Sequence, residues 1–204
     1  MSCSQPKSHA DLAADFVKKR IWCFSNTEKD AAVRAVLARL RRSVGATPGA
    51  DPEIWADTLG EMPEELISRD GTPTKGEWAI HIALTLYAVH QQGCDPKSQC
   101  MHRDNNSLGR AIQILANRKG EGGEEAIKRR FNAMATSESI EEFAHHLRSM
   151  VQLLKAEGIS MNYEQLTRDL YWFQYPDMRD KLRLRWGQDY YRIYSASDSS
   201  EADV

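Results

Sequence analysis

Between Trp78 and His90 the chain has almost no hydrophilic face. Ile80, Ile82, Leu84, Leu86, Tyr87 and Val89 follow one another with only small or isolated polar residues between them. Thr74 and Glu77 stand just before, at the Thr-x-x-Glu spacing that closes a helix N-terminus through reciprocal hydrogen bonds. The segment is well short of the ~20 apolar residues a bilayer span needs. A helix that is apolar all round is stable in water only when other helices cover it. The remainder of the chain must therefore supply amphipathic helices that pack around this one. His81, set in its middle, reads as a hydrogen-bonded core histidine rather than a ligand.

Those helices are legible from their stripes. A first helix over 10–24 buries Ala13, Phe16, Val17, Ile21 and Phe24, and a second, with Thr27 as its cap, carries Val33, Val36, Leu37, Leu40 and Val44 at i, i+3, i+4, i+7 spacing. Pro52 opens a short acidic helix with Ile54, Trp55 and Leu59. Ser107 caps a helix burying Leu108, Ala111, Ile112 and Leu115; after Gly120, Gly122 and Gly123 a further one buries Ile127, Phe131 and Met134. A long helix over 138–157 carries Phe143, Leu147, Met150, Val151 and Leu154 and stops at Gly158. Asn162 and Gln165 open another, ended by Tyr175-Pro176. The last, from Asp177, turns Met178, Leu182, Trp186, Tyr190 and Ile193 inward.

No strand pair and no internal repeat interrupts this pattern. It predicts an all-α protein of about eight or nine helices in two bundles. One bundle spans 10–119, the other 124–194, joined near Gly120. Residues 1–6 and the acidic stretch 195–204 have nothing to bury and read as disordered.

A chain of 204 residues with four cysteines does not make a disulfide framework, so free thiols in a cytoplasm are expected. No run is long enough to cross a membrane, and no secretion signal opens the sequence. The net charge of −2 hides segregation: seven acidic residues and one basic lie in 51–70, four arginines and no acid in 33–44. Segments 103–130 and 179–194 each carry a net +3. Segregation of this kind suits binding an anion on one side without general stickiness.

Enzyme signatures are missing. There is no Gly-x-Gly-x-x-Gly, phosphate-binding loop, nucleophile elbow or His-Asp dipeptide. His145-His146 falls off the apolar face of its helix and reads as solvent-facing. His90, Cys94, Cys100 and His102 have zinc-ligand chemistry, but their spacing matches no usual finger or ribbon. The expectation is no metal, no cofactor and no catalysis. The aromatics Tyr171, Trp172, Phe173 and Tyr175 have the chemistry to stack bases, yet helical spacing assigns Phe173 to the core.

The stretch 107–131 carries the most functional information. Arg110 points off the buried stripe of one helix, and Arg129 opposes the stripe of the next, flanked by Lys128 and Arg130. Ser107-Leu108-Gly109-Arg110-Ala111, Arg129-Arg130-Phe131 and Tyr171-Trp172-Phe173 together resemble one family, as do 84–88, His90-Gln91-Gln92 and Arg183-Leu184-Arg185-Trp186-Gly187. That family is CasB, the small subunit of Cascade, the RNA-guided surveillance complex of type I-E CRISPR systems. The resemblance extends from about Leu12 to Tyr194.

It implies a non-catalytic subunit whose partners are other Cascade subunits, a second copy of itself, the guide RNA, and the target and displaced DNA strands. Its arginines would bind backbone phosphate to stabilise the opened duplex. Matching positions are Arg41, Arg42, Arg110, Arg129 and Arg130, with Arg103, Arg148, Arg183 and Arg185 behind them. The alternative is a structural adaptor that bridges other subunits through the acidic segment 51–70 and apolar helix faces without touching nucleic acid.

Overall fold

A computed structural model describes residues 7–28 and 30–192. Within them the chain forms eight α-helices: α1 (His9–Asn26), α2 (Asp30–Arg42), α3 (Trp55–Thr58), α4 (Lys75–His90), α5 (Leu108–Ala135), α6 (Ile140–Ala156), α7 (Tyr163–Phe173) and α8 (Pro176–Tyr191). Two 3-10 turns, Pro52–Ile54 and Glu64–Leu66, complete the set. The all-α expectation holds; the one β feature among the described residues is an isolated parallel bridge between His102 and Met161.

Helix α4 is the axis. From Gly76 to His90 only Trp78 is not buried, and α1, α2, α6 and α7 pack directly on it. Its start is fixed as the sequence requires: Glu77 N donates to Thr74 Oγ1 at 3.1 Å, and Thr74 N donates to Glu77 Oε2 at 2.7 Å. The second Glu77 oxygen accepts from Ser68 N at 3.1 Å, which ties the preceding loop to the same cap. One contiguous apolar cluster joins α4 to all the longer helices. Its aromatic centre stacks Phe143 between Phe173 and Trp186, at 4.5 and 5.3 Å between ring centroids.

Helix α5 is broken where the glycines stand. Gly120 takes φ +65° and ψ −177°, a conformation open to glycine and strained for any other residue. Gly109 has a different reason. Helix α8 crosses so close that a Cβ there would collide with the Trp186 carbonyl oxygen and come within 2.8 Å of Asp189 Cβ. The Leu-Gly-Arg step thus lets α5 and α8 touch backbone to backbone.

Some boundaries differ from expectation. Thr27 ends α1, its N–H donating to Cys23 O, while α2 begins at Asp30. The short acidic helix splits into a 3-10 turn and a single α turn, too short to carry an inward stripe. Trp55 is consequently 47% exposed, with Nε1 donating to Gly49 O at 2.8 Å. Ile193, residues 1–6 and the tail 195–204 lie outside the described residues.

The cysteine-bearing loop 93–106 is firmly held. Gln91 reaches under it, donating to Gln99 O at 2.8 Å and accepting from Met101 N at 2.8 Å. Arg103 N and Met161 N then exchange backbone bonds with Met161 O and Met101 O. The four zinc-type side chains are otherwise engaged or apart. His90 is fully buried, with Nε2 2.9 Å from Ile159 O and Nδ1 3.0 Å from the Tyr163 hydroxyl. Burial lowers its pKa to about 4 and keeps it neutral. His102 Nδ1 accepts from Tyr163 N, and its Nε2 faces Asp104 at 3.2 Å. Among the described residues no group of three His, Cys, Asp or Glu side chains is arranged to hold a metal.

Candidate nucleic-acid interface

Arg110 sits in the first turn of α5. Ser107 Oγ accepts from Arg110 N at 3.3 Å, capping the helix as its residue type predicts. The Arg110 guanidinium turns back over the loop and donates from Nη1 to Asn105 O at 3.1 Å. Nearby, Asn162 caps α7 by accepting from Gln165 N at 2.8 Å. The two helix N-termini open on one polar pocket of about 400 Å³, where Arg110 meets Arg185 and Arg192 from the end of α8. Sequence reasoning had Arg110 and Arg185 and missed Arg192, whose i+7 relation to Arg185 is the signal that could have found it. Asp104, Asp169 and Asp189 share the pocket, so the guanidinium groups are oriented by carboxylates as well as concentrated.

Arg185 has the clearest internal partner. Its Nη2 pairs with Oδ1 of Asp169, whose side chain is 3% exposed. The same carboxylate accepts from Trp186 Nε1 at 2.6 Å and Gln165 Nε2 at 2.8 Å. Burial raises the Asp169 pKa, opposed by the Arg185 charge and these donors. Arg183 is likewise engaged, donating from Nε to Ala135 O at 2.7 Å and from Nη1 to Asp180 at 2.9 Å.

Arg129 and Arg130 are different. Both are exposed on the second half of α5, anchored by Ile127 and Phe131, which are 4% and 6% exposed. Neither forms an ion pair with a described residue. Lys128 beside them lies 5.8 Å over the ring of Tyr191, itself 65% exposed. This gives a rigid basic turn with an aromatic neighbour, presented to solvent.

The arginines of α2 divide. Arg39 and Arg42 turn to the acidic segment, reaching Asp57 at 3.6 Å and Glu53 at 2.6 Å. With Lys19 on Glu61 at 2.9 Å, they neutralise part of that segment within the chain. Arg34 and Arg41, one heptad apart, instead line a groove of about 430 Å³ against the loop 91–97. Arg148 stands exposed on α6 at the mouth of a third cavity. Arg103 is exposed on the loop whose backbone is pinned to Met161.

The aromatic run 171–175 is mostly core: Phe173 and Tyr171 are 0% and 7% exposed, with Trp172 and Tyr175 half-buried at its edge. His145 is exposed as expected, whereas His146, expected to face solvent with it, is half-buried.

No helix among the described residues is long and apolar enough to cross a membrane. No curated protein matches the chain. Among solved structures, the crystal structure of CasB from Thermobifida fusca is similar, at 29% identity and a TM-score of 0.69, covering 89% of this chain and 98% of that one. The family model of the CRISPR-associated protein Cse2 matches residues 36–191. That span runs from the middle of α2 through the end of α8, about three quarters of the chain, and takes in Arg41, Arg110, Arg129, Arg130, Arg148 and Arg185, so the chain belongs to the Cse2 family.

Proposed function

We propose that this chain is a non-catalytic subunit that grips nucleic-acid backbone, holding the guide paired to its target and the displaced strand beside it. Family membership makes it a CRISPR-associated Cascade subunit. The finer reading rests on its arginines. Arg129, Arg130, Arg110, Arg41 and Arg42 are the first contacts, and Arg103, Arg148, Arg183 and Arg185 the second. A guide RNA, both DNA strands, the other subunits and a second copy of the chain are the partners.

The observation that carries it is the exposed Arg129-Arg130 pair on a buried-stripe helix, without an ion pair to any described residue. Guanidinium groups held this way bind phosphate through two donors at little ordering cost. Exchanging a DNA duplex for a guide–target duplex is nearly balanced in energy, so sequence-independent contacts to the products can tip it. Such contacts carry no base information, as a subunit serving many guides requires.

The adaptor reading leans on the acidic segment, part of whose charge is spent inside the chain on Arg39, Arg42 and Lys19. The test is assembly and target affinity measured on the same preparations across a salt series. Arg110→Ala, Arg129→Ala and Arg130→Ala should assemble normally and bind all targets more weakly. Each lost contact should flatten the log–log salt slope by about 0.7 for single strands or 0.9 for duplex. Full assembly with unchanged affinity and slope would refute the phosphate-gripping role.

A further inference from the structure

Helix α8 delivers the chain to the basic half of α5. The rings of Tyr190 and Phe131 meet at 5.3 Å between centroids, and Lys128 lies 5.8 Å over the ring of Tyr191. One residue on, Arg192 O accepts from Gln113 Nε2 at 2.9 Å, which pins the last described residue to the first half of α5. The chain therefore leaves the fold beside Lys128. Arg129 and Arg130 follow Lys128 at about 3.8 Å per step between Cα atoms, and neither has an ion pair to any described residue. Lys128, Arg129, Arg130 and Arg192 outnumber the two acids one turn back, Glu124 and Glu125. The polar pocket at Arg110 and Arg185 differs, since Asp104, Asp169 and Asp189 share it. Positive charge without a carboxylate is concentrated at the exit.

The sequence that follows is acidic. Residues 193–204 carry Asp198, Glu201 and Asp203 and neither lysine nor arginine. Six residues separate Arg192 from Asp198, enough to reach up to roughly 20 Å, well beyond the single turn of α5 that holds the cations. A segment tethered this close acts at an effective concentration on the order of millimolar. Exposed carboxylate–guanidinium pairs, each weak alone, then suffice to hold it, and a carboxylate fits the same planar fork as a phosphate. We propose that the acidic stretch 193–204 lies on Lys128, Arg129 and Arg130 of its own chain, where its carboxylates occupy the place of backbone phosphates until nucleic acid displaces them. This rests on the backbone-gripping reading above and adds its regulation. A strand that touches only this turn gains little over the tethered carboxylates, whereas one that also reaches arginines elsewhere on the chain wins the exchange. The basic turn is thereby kept off stray nucleic acid.

The experiment has two arms. The full-length chain is treated at low salt with a water-soluble carbodiimide, which joins a carboxylate to an amine only where the two are in contact. Trypsin cuts after Arg192, and mass spectrometry should find 193–204 joined to the Lys128 peptide within a single chain. Adding a single-stranded oligonucleotide should remove that crosslink. In the second arm the assembled complex carries Asp198→Asn, Glu201→Gln and Asp203→Asn together. It should bind target about three- to tenfold more tightly at low salt, with the advantage shrinking as salt rises. The gain should vanish when Arg129→Ala and Arg130→Ala are also present. If no crosslink to Lys128 forms and the neutral stretch changes nothing, while the arginine variants still weaken binding and flatten its salt slope, the docking is wrong and the backbone reading stands. A gain that persists without the arginines is general charge repulsion and overturns the docking, as do crosslinks that join 193–204 to a second copy or to another subunit. If the Lys128 crosslink forms but neither neutralising the stretch nor removing the arginines alters target affinity, the backbone reading fails, and the competition built on it falls too.

Discussion

Replacing Arg185 with alanine tests whether this arginine serves the fold before it serves any ligand. Among the described residues its guanidinium is the one positive charge paired with Asp169, a carboxylate with 3% of its side chain exposed. Removing one member of a buried pair typically costs about 3–5 kcal/mol, because the other charge is left without compensation. Two features lessen the loss here. The Arg185 side chain is 42% exposed, so water replaces part of what the guanidinium supplied. Asp169 also keeps its bonds from Trp186 at 2.6 Å and Gln165 at 2.8 Å. We expect a loss of about 2–3 kcal/mol at neutral pH, lowering Tm by roughly 4–12 °C for a chain of this length.

The pH dependence has a definite sign. Burial raises the folded pKa of Asp169 above its ordinary value of 3.8, and the Arg185 charge opposes that rise. A carboxyl with a raised folded pKa binds its proton more tightly in the native state than in the unfolded one. Its contribution is favourable below the unfolded pKa and is lost as pH climbs through the folded pKa. Without Arg185 the folded pKa climbs further, so the deficit of the variant should be small in acid and grow toward neutrality. Urea unfolding of Arg185→Ala, Asp169→Asn and the double variant across roughly pH 4 to 8 measures both size and slope. If Arg185→Ala stays within about 0.5 kcal/mol of the parent throughout, the pair is not structural.

Gly109→Ala should destabilise the protein by about 1–2 kcal/mol in urea unfolding, since overpacking against a backbone carbonyl outweighs the gain in helix propensity; a stabilised variant would show that α8 can move away. The isolated protein should cleave neither DNA nor RNA, with or without divalent metal; cleavage that survives further purification and vanishes with His102→Ala or His145→Ala would contradict this.

Much of the architecture was legible because helices write their buried faces at a period of 3.6 residues. The stripes of α1, α2, α6 and α7, the caps Thr74, Ser107 and Asn162, and the central place of α4 all follow from local spacing. What escaped local reading depended on partners far along the chain. Nothing near Arg185 announces Asp169, nothing near Arg183 announces the Ala135 carbonyl, and Gln91 gives no local sign that it holds the loop beyond it. The short acidic helix was read as one piece because a segment of so few turns has no stripe to show its break. His81 was read as a core residue from the same pattern, and the structure buries it.

The same division separates what marks the family from what performs its work. Gly109, Gln91, Phe173 and Trp186, all within the recognisable motifs, hold α5 against α8, secure the loop and fill the core. They identify the fold and have little left to offer a ligand. Arg183 and Arg185 stand in such a motif too, and each already satisfies a carbonyl or carboxylate. A side chain whose donors are used inside the chain must break those bonds to bind phosphate, which subtracts from its contact energy. Arg129 and Arg130 face no such subtraction from any described residue. Ranked by unsatisfied capacity rather than by motif, the proposed binding surface centres on the second half of α5, with the arginines of α8 as the frame that holds α8 against its neighbours.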